Sequence, residues 1–380
     1  MTSRYLFQEK ETNHQTMKTF FTTLACITSV IVFGQTIRYV DNSSSSPGGA
    51  HVYTSLQAAI DSAVTGDIIH VRGSAATYGS VTLNKSLEIY GIGFNPDKDI
   101  PLLSTLDNIY LHENSSGSRV SGLYVTGQIG IAYDDPNGVY SLSNLSIDNC
   151  RVGRITSGAS CCVIRPTDNV IIRNNVIGNE SSATAQTVID LIGSYGTVSN
   201  AIITNNIILG ETDGTFGALE ATGALIKNNL FVGGGTIQNA FYVLTNSTVA
   251  NNVFFGRAPA ASSSMSNVVF RNNLSFSTSA DTLPAIGSGI SGSNNLVGID
   301  PLLVNVTVGN AVDIGTIDPS PDTGSPLLSA GSDGTDIGVT GSTIPWDGTG
   351  VPLPVIQELN VTEVIKQGDN LDLNVKARGN

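Results

Sequence analysis

Six Asn-Asn pairs recur along this chain, each followed by apolar residues. They begin at Asn174, Asn205, Asn228, Asn251, Asn272 and Asn294, at steps of 31, 23, 23, 21 and 22 residues. A related run, Asp148 to Gly153, lies one step upstream. A near-constant period of this length means one supersecondary unit stacked on copies of itself. Such a unit cannot bury its apolar face alone, so neighbouring coils must cover one another.

The segments around the pairs identify the unit. Asn169–Asn175 reads NVIIRNN, Asn200–Asn206 reads NAIITNN and Asn267–Asn273 reads NVVFRNN. These are short β-branched runs bounded by turn residues, with no room for a helix. The Leu-x-x-Leu-x-Leu frame of a leucine-rich repeat is missing. A repeat of this length holds three short strands and three turns. The fold expected is all-β: a single-stranded right-handed parallel β-helix of about ten coils. Asn tolerates left-handed backbone and suits the bend between strands. Stacked coil on coil, its amide can donate in one direction and accept from the other, forming a ladder of satisfied buried amides. These Asn residues therefore read as structural.

Charged residues make up only 13% of the 380, Gly numbers 41 and hydrophobic residues reach 40%, a composition that fits a turn-rich β protein rather than a disordered one. Residues 1–34 read as leader and signal peptide. Met17-Lys18 opens a charged start, Phe20 to Phe33 is apolar, and small Gly34 precedes Gln35. This run is too short for a membrane span, so the chain is expected to be secreted or at the cell surface of a bacterium. Net charge is −13, and −14 without residues 1–34. That excess argues against nucleic acid and anionic membranes as partners, and against unaided binding of a polyanion; a bridging Ca²⁺ would relieve the last. Beyond Cys26, which leaves with the signal, the chain has Cys150, Cys161 and Cys162. They read as small hydrophobes, with Cys150 to one of the adjacent pair as the open disulfide alternative.

Residues 35–66 are expected to cap the solenoid. Leu56, Ala59, Ile60 and Ala63 lie on one helical face, and Thr54 with Gln57 has capping-box spacing. A helix there shields the first coil, an otherwise open edge. Gly66-Asp67 ends it, and Ile69 and Val71 begin a strand. The whole segment Tyr53–Gly93 resembles the opening of secreted proteins of the pectin-lyase-like superfamily. The resemblance rests on Leu56, Gln57, Ala59, Ile60, Ala63, Gly66, Asp67, Ile69, Val71, Tyr78 and Gly91. Ile299–Leu303 and Gly324–Gly338 resemble the closing segment of the same proteins. The resemblance spans roughly 39–341 and implies the β-helix over residues 67–344. It implies fold more than chemistry, because one scaffold hosts many functions. Residues 345–380 read as a Pro-rich linker (Pro345, Pro352, Pro354) and a hairpin-like tail joined through Gln367-Gly368-Asp369.

The resemblance implies a polysaccharide-active site on the outer face of one sheet, either a lyase using a base with Ca²⁺ or Arg/Lys, or a hydrolase using paired carboxylates. Such sites need charges from successive coils at one lateral position. Two columns qualify. Alignment on the Asn pairs puts Asp148, Arg173, Thr204, Lys227, Ala250, Arg271 and Ser293 in register, with Asp148 able to pair with Arg173. The strand before each Asn strand offers Arg165, Asp190 and Glu220, the candidate catalytic or sugar-holding set, with Tyr195, Phe216 and Tyr242 nearby for stacking. Asp134–Gly138 (DDPNG) is a turn with two carboxylates and a candidate Ca²⁺ site. The function expected is engagement of extracellular polysaccharide, as a lyase or glycoside hydrolase; the alternative is a non-catalytic glycan-binding, adhesive or structural surface module.

Overall fold

The computed structural model describes residues 35–350, except 44–45, 47, 96–101, 134–138, 159–164, 179–186, 194–195, 210–216, 234–238, 261–264, 277–288 and 308–312. It also describes the strands Val355–Val361 and Leu373–Arg378. The chain is a parallel β-solenoid of about eight turns, fewer than the ten expected. A 14-stranded sheet and a 16-stranded sheet carry the coils, almost entirely through parallel pairing. In the first sheet Ile147, Ile172, Ile203, Ile226 and Val249 stand in register on successive strands and point inward, all fully buried. The second sheet answers with Ile208, Phe231 and Phe254 at one inward position, the last two rings stacked at 5.0 Å. Aliphatic or aromatic residues stacked on their own kind fill the bore with little void.

The two members of each Asn pair do different work. The second forms a continuous file. Asn175 Nδ2 donates to Asn206 Oδ1, Asn206 to Asn229, Asn229 to Asn252, Asn252 to Asn273 and Asn273 to Asn295, each at 3.0 Å. Each of these five amides also donates to a main-chain carbonyl on the preceding coil, from Ile147, Ile172, Ile203, Ile226 and Val249. Each Oδ1 accepts the backbone N–H of the preceding Asn as well. The five amides from Asn175 to Asn273 are thus saturated at a place water does not reach. Cys150 heads the file: its N–H donates to Asn175 Oδ1 at 2.8 Å. Cys150 is a free, buried thiol, with burial pushing its pKa up to about 12, so it is inert rather than cross-linked. Cys161 and Cys162 lie outside the described residues.

The first member of each pair makes the bend. Asn174, Asn205, Asn228, Asn251, Asn272 and Asn294 all have φ between 52° and 57°. A second left-handed column, Asn144, Asn169, Asn200, Asn246 and Asn267, with φ of 51–57°, opens the same strands. In the coils from residue 144 to 294 the apolar runs of the first sheet therefore lie between two left-handed positions, filled by Asn or, at 223 and 289, by Gly.

The helix Leu56–Ser62 packs Leu56, Ala59 and Ile60, all fully buried, on the first coil. Its N-cap is Ser55, which accepts from the Ala58 N–H, not Thr54. Gln57 is used elsewhere: it accepts from Thr82 N–H at 2.8 Å and donates to Thr82 O at 3.2 Å. Its amide stands in for a missing neighbour on strand Val81–Leu83, satisfying an open edge.

A strap of chain after the last coil folds back over the outside. Ile314, Leu327, Ile337, Val339 and Trp346 join the outward residues Val176, Ile207, Leu230, Val253 and Leu274 in a second apolar cluster. The bend asparagines hold it. Asn205 donates to Val339 O at 2.7 Å, Asn228 to Gly341 O at 2.8 Å and Asn272 to Ala330 O at 2.9 Å, while Asn251 Oδ1 accepts Ser332 N–H at 2.8 Å. Packing on the coils continues past residue 344, since Trp346 stacks on Phe94 and Gly350 lies against Phe94 and Asn149. Val355–Val361 and Leu373–Arg378 pair antiparallel with each other.

Candidate functional site

The outer face of the second sheet carries one column of polar side chains. Register places Tyr110 beside Gly130, Gly130 beside Thr156, Thr156 beside Asp190 and Asp190 beside Glu220. Alternation fixes the direction: Ile129, Ile155, Ile189 and Leu219 precede these last four residues and are buried in the bore, so their successors point out. Asp190 and Glu220 thus project side by side from adjacent coils, about 4.8 Å apart at the backbone. Leu219 pairs with Phe241, and the residue that follows, Tyr242, is 41% exposed.

The two carboxyls sit in different environments. Arg154 Nη2 reaches Asp190 Oδ2 at 3.0 Å, an ion pair between two partly exposed side chains. Asp190 Oδ1 also accepts the Ile192 N–H at 3.3 Å. Glu220 accepts the Thr187 hydroxyl at 3.1 Å. Burial, and then the neighbouring Asp190 carboxylate, hold the Glu220 carboxyl above the usual range; the Thr187 bond and Arg154 oppose this less strongly. Two acids side by side, one against a cation and one pushed toward its neutral form, is the division of labour that acid–base chemistry requires.

Sequence register misplaced the third member. The coil partner of Asp190 is Thr156, and the guanidinium on Asp190 belongs to Arg154. The strand Arg151–Ser157 starts directly after the Asn149 bend, which leaves Arg165 beyond it, outside the column. Arg165 is buried at 2% exposure with its guanidinium over the Tyr140 ring at 5.2 Å. Arg154 escaped notice because a bulge between Val152 and Arg154, where Gly153 packs against Gly127 O, shifts the outward alternation. Tyr195, Phe216 and the DDPNG turn at 134–138 lie outside the described residues.

The other column has the register expected, from Asp148 through Arg173, Thr204, Lys227, Ala250 and Arg271 to Ser293. Its ion pairing differs. Asp148 is fully buried and held by both arms of Arg119, at 2.9 and 2.6 Å, with Arg173 at 4.0 Å. Ser121 and Asn149 also donate to this carboxylate. This is a satisfied structural network rather than a site.

Ca²⁺ does not fit the acid column. Among the described residues no group of three or more His, Cys, Asp or Glu comes together. Asp190 and Glu220 supply two carboxylates where Ca²⁺ takes six to eight oxygens, and Arg154 already occupies Asp190.

Fold and column together define a parallel β-helix protein bearing a carboxylate pair on an outer sheet face. No protein-family model matches the chain, and no curated protein matches it. Among the described residues no helix is long and apolar enough to cross a membrane.

Proposed function

We propose that the chain is a secreted β-helix protein of the pectin-lyase-like kind that engages extracellular polysaccharide, and that Asp190 and Glu220 cleave it hydrolytically. The observation that carries this reading is the pair of adjacent outward carboxyls with opposed environments. Glu220, inclined to its protonated form, donates to the glycosidic oxygen as the bond to the sugar breaks. Asp190, ion-paired with Arg154, faces the positive charge that develops on the ring; a water then adds to that sugar carbon and gives its proton to Glu220, which restores the acid. Tyr242, exposed one coil beyond, offers an aromatic surface for a sugar ring. A lyase would need a base placed to take a proton α to a carboxylate; the cation nearest the pair is already bound to Asp190, which favours hydrolysis. The apolar run at 20–33 and the resemblance of 53–93 to secreted β-helix proteins support export.

The test is incubation of the purified protein with a panel of plant, algal and bacterial polysaccharides. Reducing ends report hydrolysis and absorbance near 235 nm reports elimination. Hydrolysis that falls at least a hundredfold in both Asp190→Asn and Glu220→Gln supports the reading. Activity that survives both substitutions moves the site elsewhere. Absence of any cleavage, with retention on a glycan array, makes the protein a binding module.

A further inference from the structure

The outer face of the first sheet is separate from the acid column and holds a different pattern. Two register rows run along it, with Ala250 covered and the other positions partly or fully exposed. One row is Ile171, Ile202, Leu225, Thr248 and Val269, aligned by register; Ile171, Ile202 and Val269 are 36–38% exposed. Beside it runs the row Arg173, Thr204, Lys227, Ala250, Arg271 and Ser293. From Arg173 onward these rows contain three cations and no acid, in a chain of net charge −13; Asp148, one coil upstream in the same row, is fully buried and held by Arg119. The cations fall on every second coil, about 9–10 Å apart, with a small neutral residue between. Arg271 is exposed and pairs with no carboxylate among the described residues. Lys227 gives one hydrogen to Asp333 on the strap at 2.7 Å and has two more. Arg173 stands 4.0 Å from an Asp148 already satisfied by Arg119.

We propose that this face is a docking strip for an extended anionic polysaccharide that carries one acidic group per disaccharide, lying along the solenoid axis. One sugar residue in an extended chain has about the length of one coil step, so acidic groups on alternate residues meet successive cations. The neutral sugars between them lie over the aliphatic row, whose exposed members Ile171, Ile202 and Val269 take the apolar faces of the rings. A chain charged at every residue gains nothing from its extra charges here. Nucleic acid fits poorly, because its phosphates recur every ~3.4 Å along a strand. The strip needs no Ca²⁺, and it holds polymer independently of any cleavage at Asp190 and Glu220.

The test uses hyaluronan decasaccharide, which has one carboxylate per disaccharide, against polygalacturonate of equal length and a 20-base-pair DNA duplex, in EDTA at low salt. The full chain is expected to bind hyaluronan at least as tightly as polygalacturonate, despite half the charge, and more tightly than DNA. Arg173→Gln, Lys227→Gln and Arg271→Gln each weaken binding roughly fivefold. Asp333→Asn, which frees Lys227, strengthens it. Arg72→Gln, an exposed arginine off the strip, and Glu220→Gln leave it unchanged, and urea midpoints confirm that the strip variants stay folded. Preference for polygalacturonate or DNA, binding that the three strip substitutions do not weaken, or no binding of hyaluronan in EDTA overturns the proposal. Loss of hydrolysis in Glu220→Gln with hyaluronan binding intact separates the two sites.

Discussion

Asn229→Ala removes one interior rung of the amide file, and its cost follows from the bonds it breaks. Asn229 Oδ1 accepts two bonds from Asn206, one from its backbone N–H and one from its side chain, both at 3.0 Å. Asn229 is fully buried, so neither donor finds water afterwards. Asn206 Nδ2 keeps its bond to Ile172 O, and Asn252 Oδ1 keeps the Asn229 N–H, so two donors are orphaned rather than four. At ~1–3 kcal/mol for each unsatisfied buried group, the loss is about 2–6 kcal/mol. The last rung provides the control. Asn295 also accepts twice from Asn273, but Asn295 is partly exposed and water can replace it. Asn295→Ala is therefore expected to cost no more than about 1 kcal/mol. Urea unfolding of the two variants beside the parent, followed by circular dichroism, gives both numbers. Equal destabilisation at the two positions, or less than about 1 kcal/mol at Asn229, refutes the claim that saturation of buried amides stabilises the stack.

Cys150→Asn is expected to stabilise the protein by roughly 0.5–1.5 kcal/mol in the same assay, because the new amide meets Asn175 Oδ1 below and Val120 O, the coil partner of Ile147 O, above. Glu220→Gln should raise the unfolding midpoint at neutral pH. The folded-state pKa of Glu220 is raised, so its contribution is fully present below the unfolded pKa and is lost as pH rises through the folded one. Urea midpoints measured from acid to neutral pH should therefore fall less steeply in the Gln variant than in the parent; parallel curves would remove Glu220 from the account. Trp346→Ala opens the strap cluster where Trp346 packs on Phe94, and a loss of about 3–5 kcal/mol, with faster proteolysis after residue 314, is the expected result. A loss below about 1 kcal/mol would mean the strap is not integral to the fold.

Much of the solenoid was legible because Asn is forced on the chain twice per coil. Left-handed bends favour it, and a buried file of amides admits only a residue that both donates and accepts. That is why aligning the pairs gave the column from Asp148 to Ser293 in its true register. Asp190 and Glu220 were placed on adjacent coils for the same reason, since each follows a short run in step with that frame. Arg154 was missed where the frame breaks: a bulge at Gly153 changes which residues face out, and no local pattern announces it. The strap was missed because its partners are far away in sequence. Its backbone carbonyls meet Asn205, Asn228 and Asn272 across separations of 134, 113 and 58 residues. Nothing in the Asn pairs says that their first members will be used that way. The cap differed by one residue for a related reason. Gln57 has capping-box spacing, but the open edge of Val81–Leu83 offers its amide two bonds at once.

Cysteine cross-linking tests the stacking register most directly. Arg173 and Thr204 are coil partners with both side chains outward, whereas Ile172 turns into the bore. Neighbouring backbones stand about 4.8 Å apart, within reach of a disulfide. The double variant Arg173→Cys with Thr204→Cys should form that bond under mild oxidation while folded, seen as a linked peptide by mass spectrometry. A link that forms instead between Ile172→Cys and Thr204→Cys, with none between 173 and 204, would contradict the coil-on-coil alignment and both outer faces built on it.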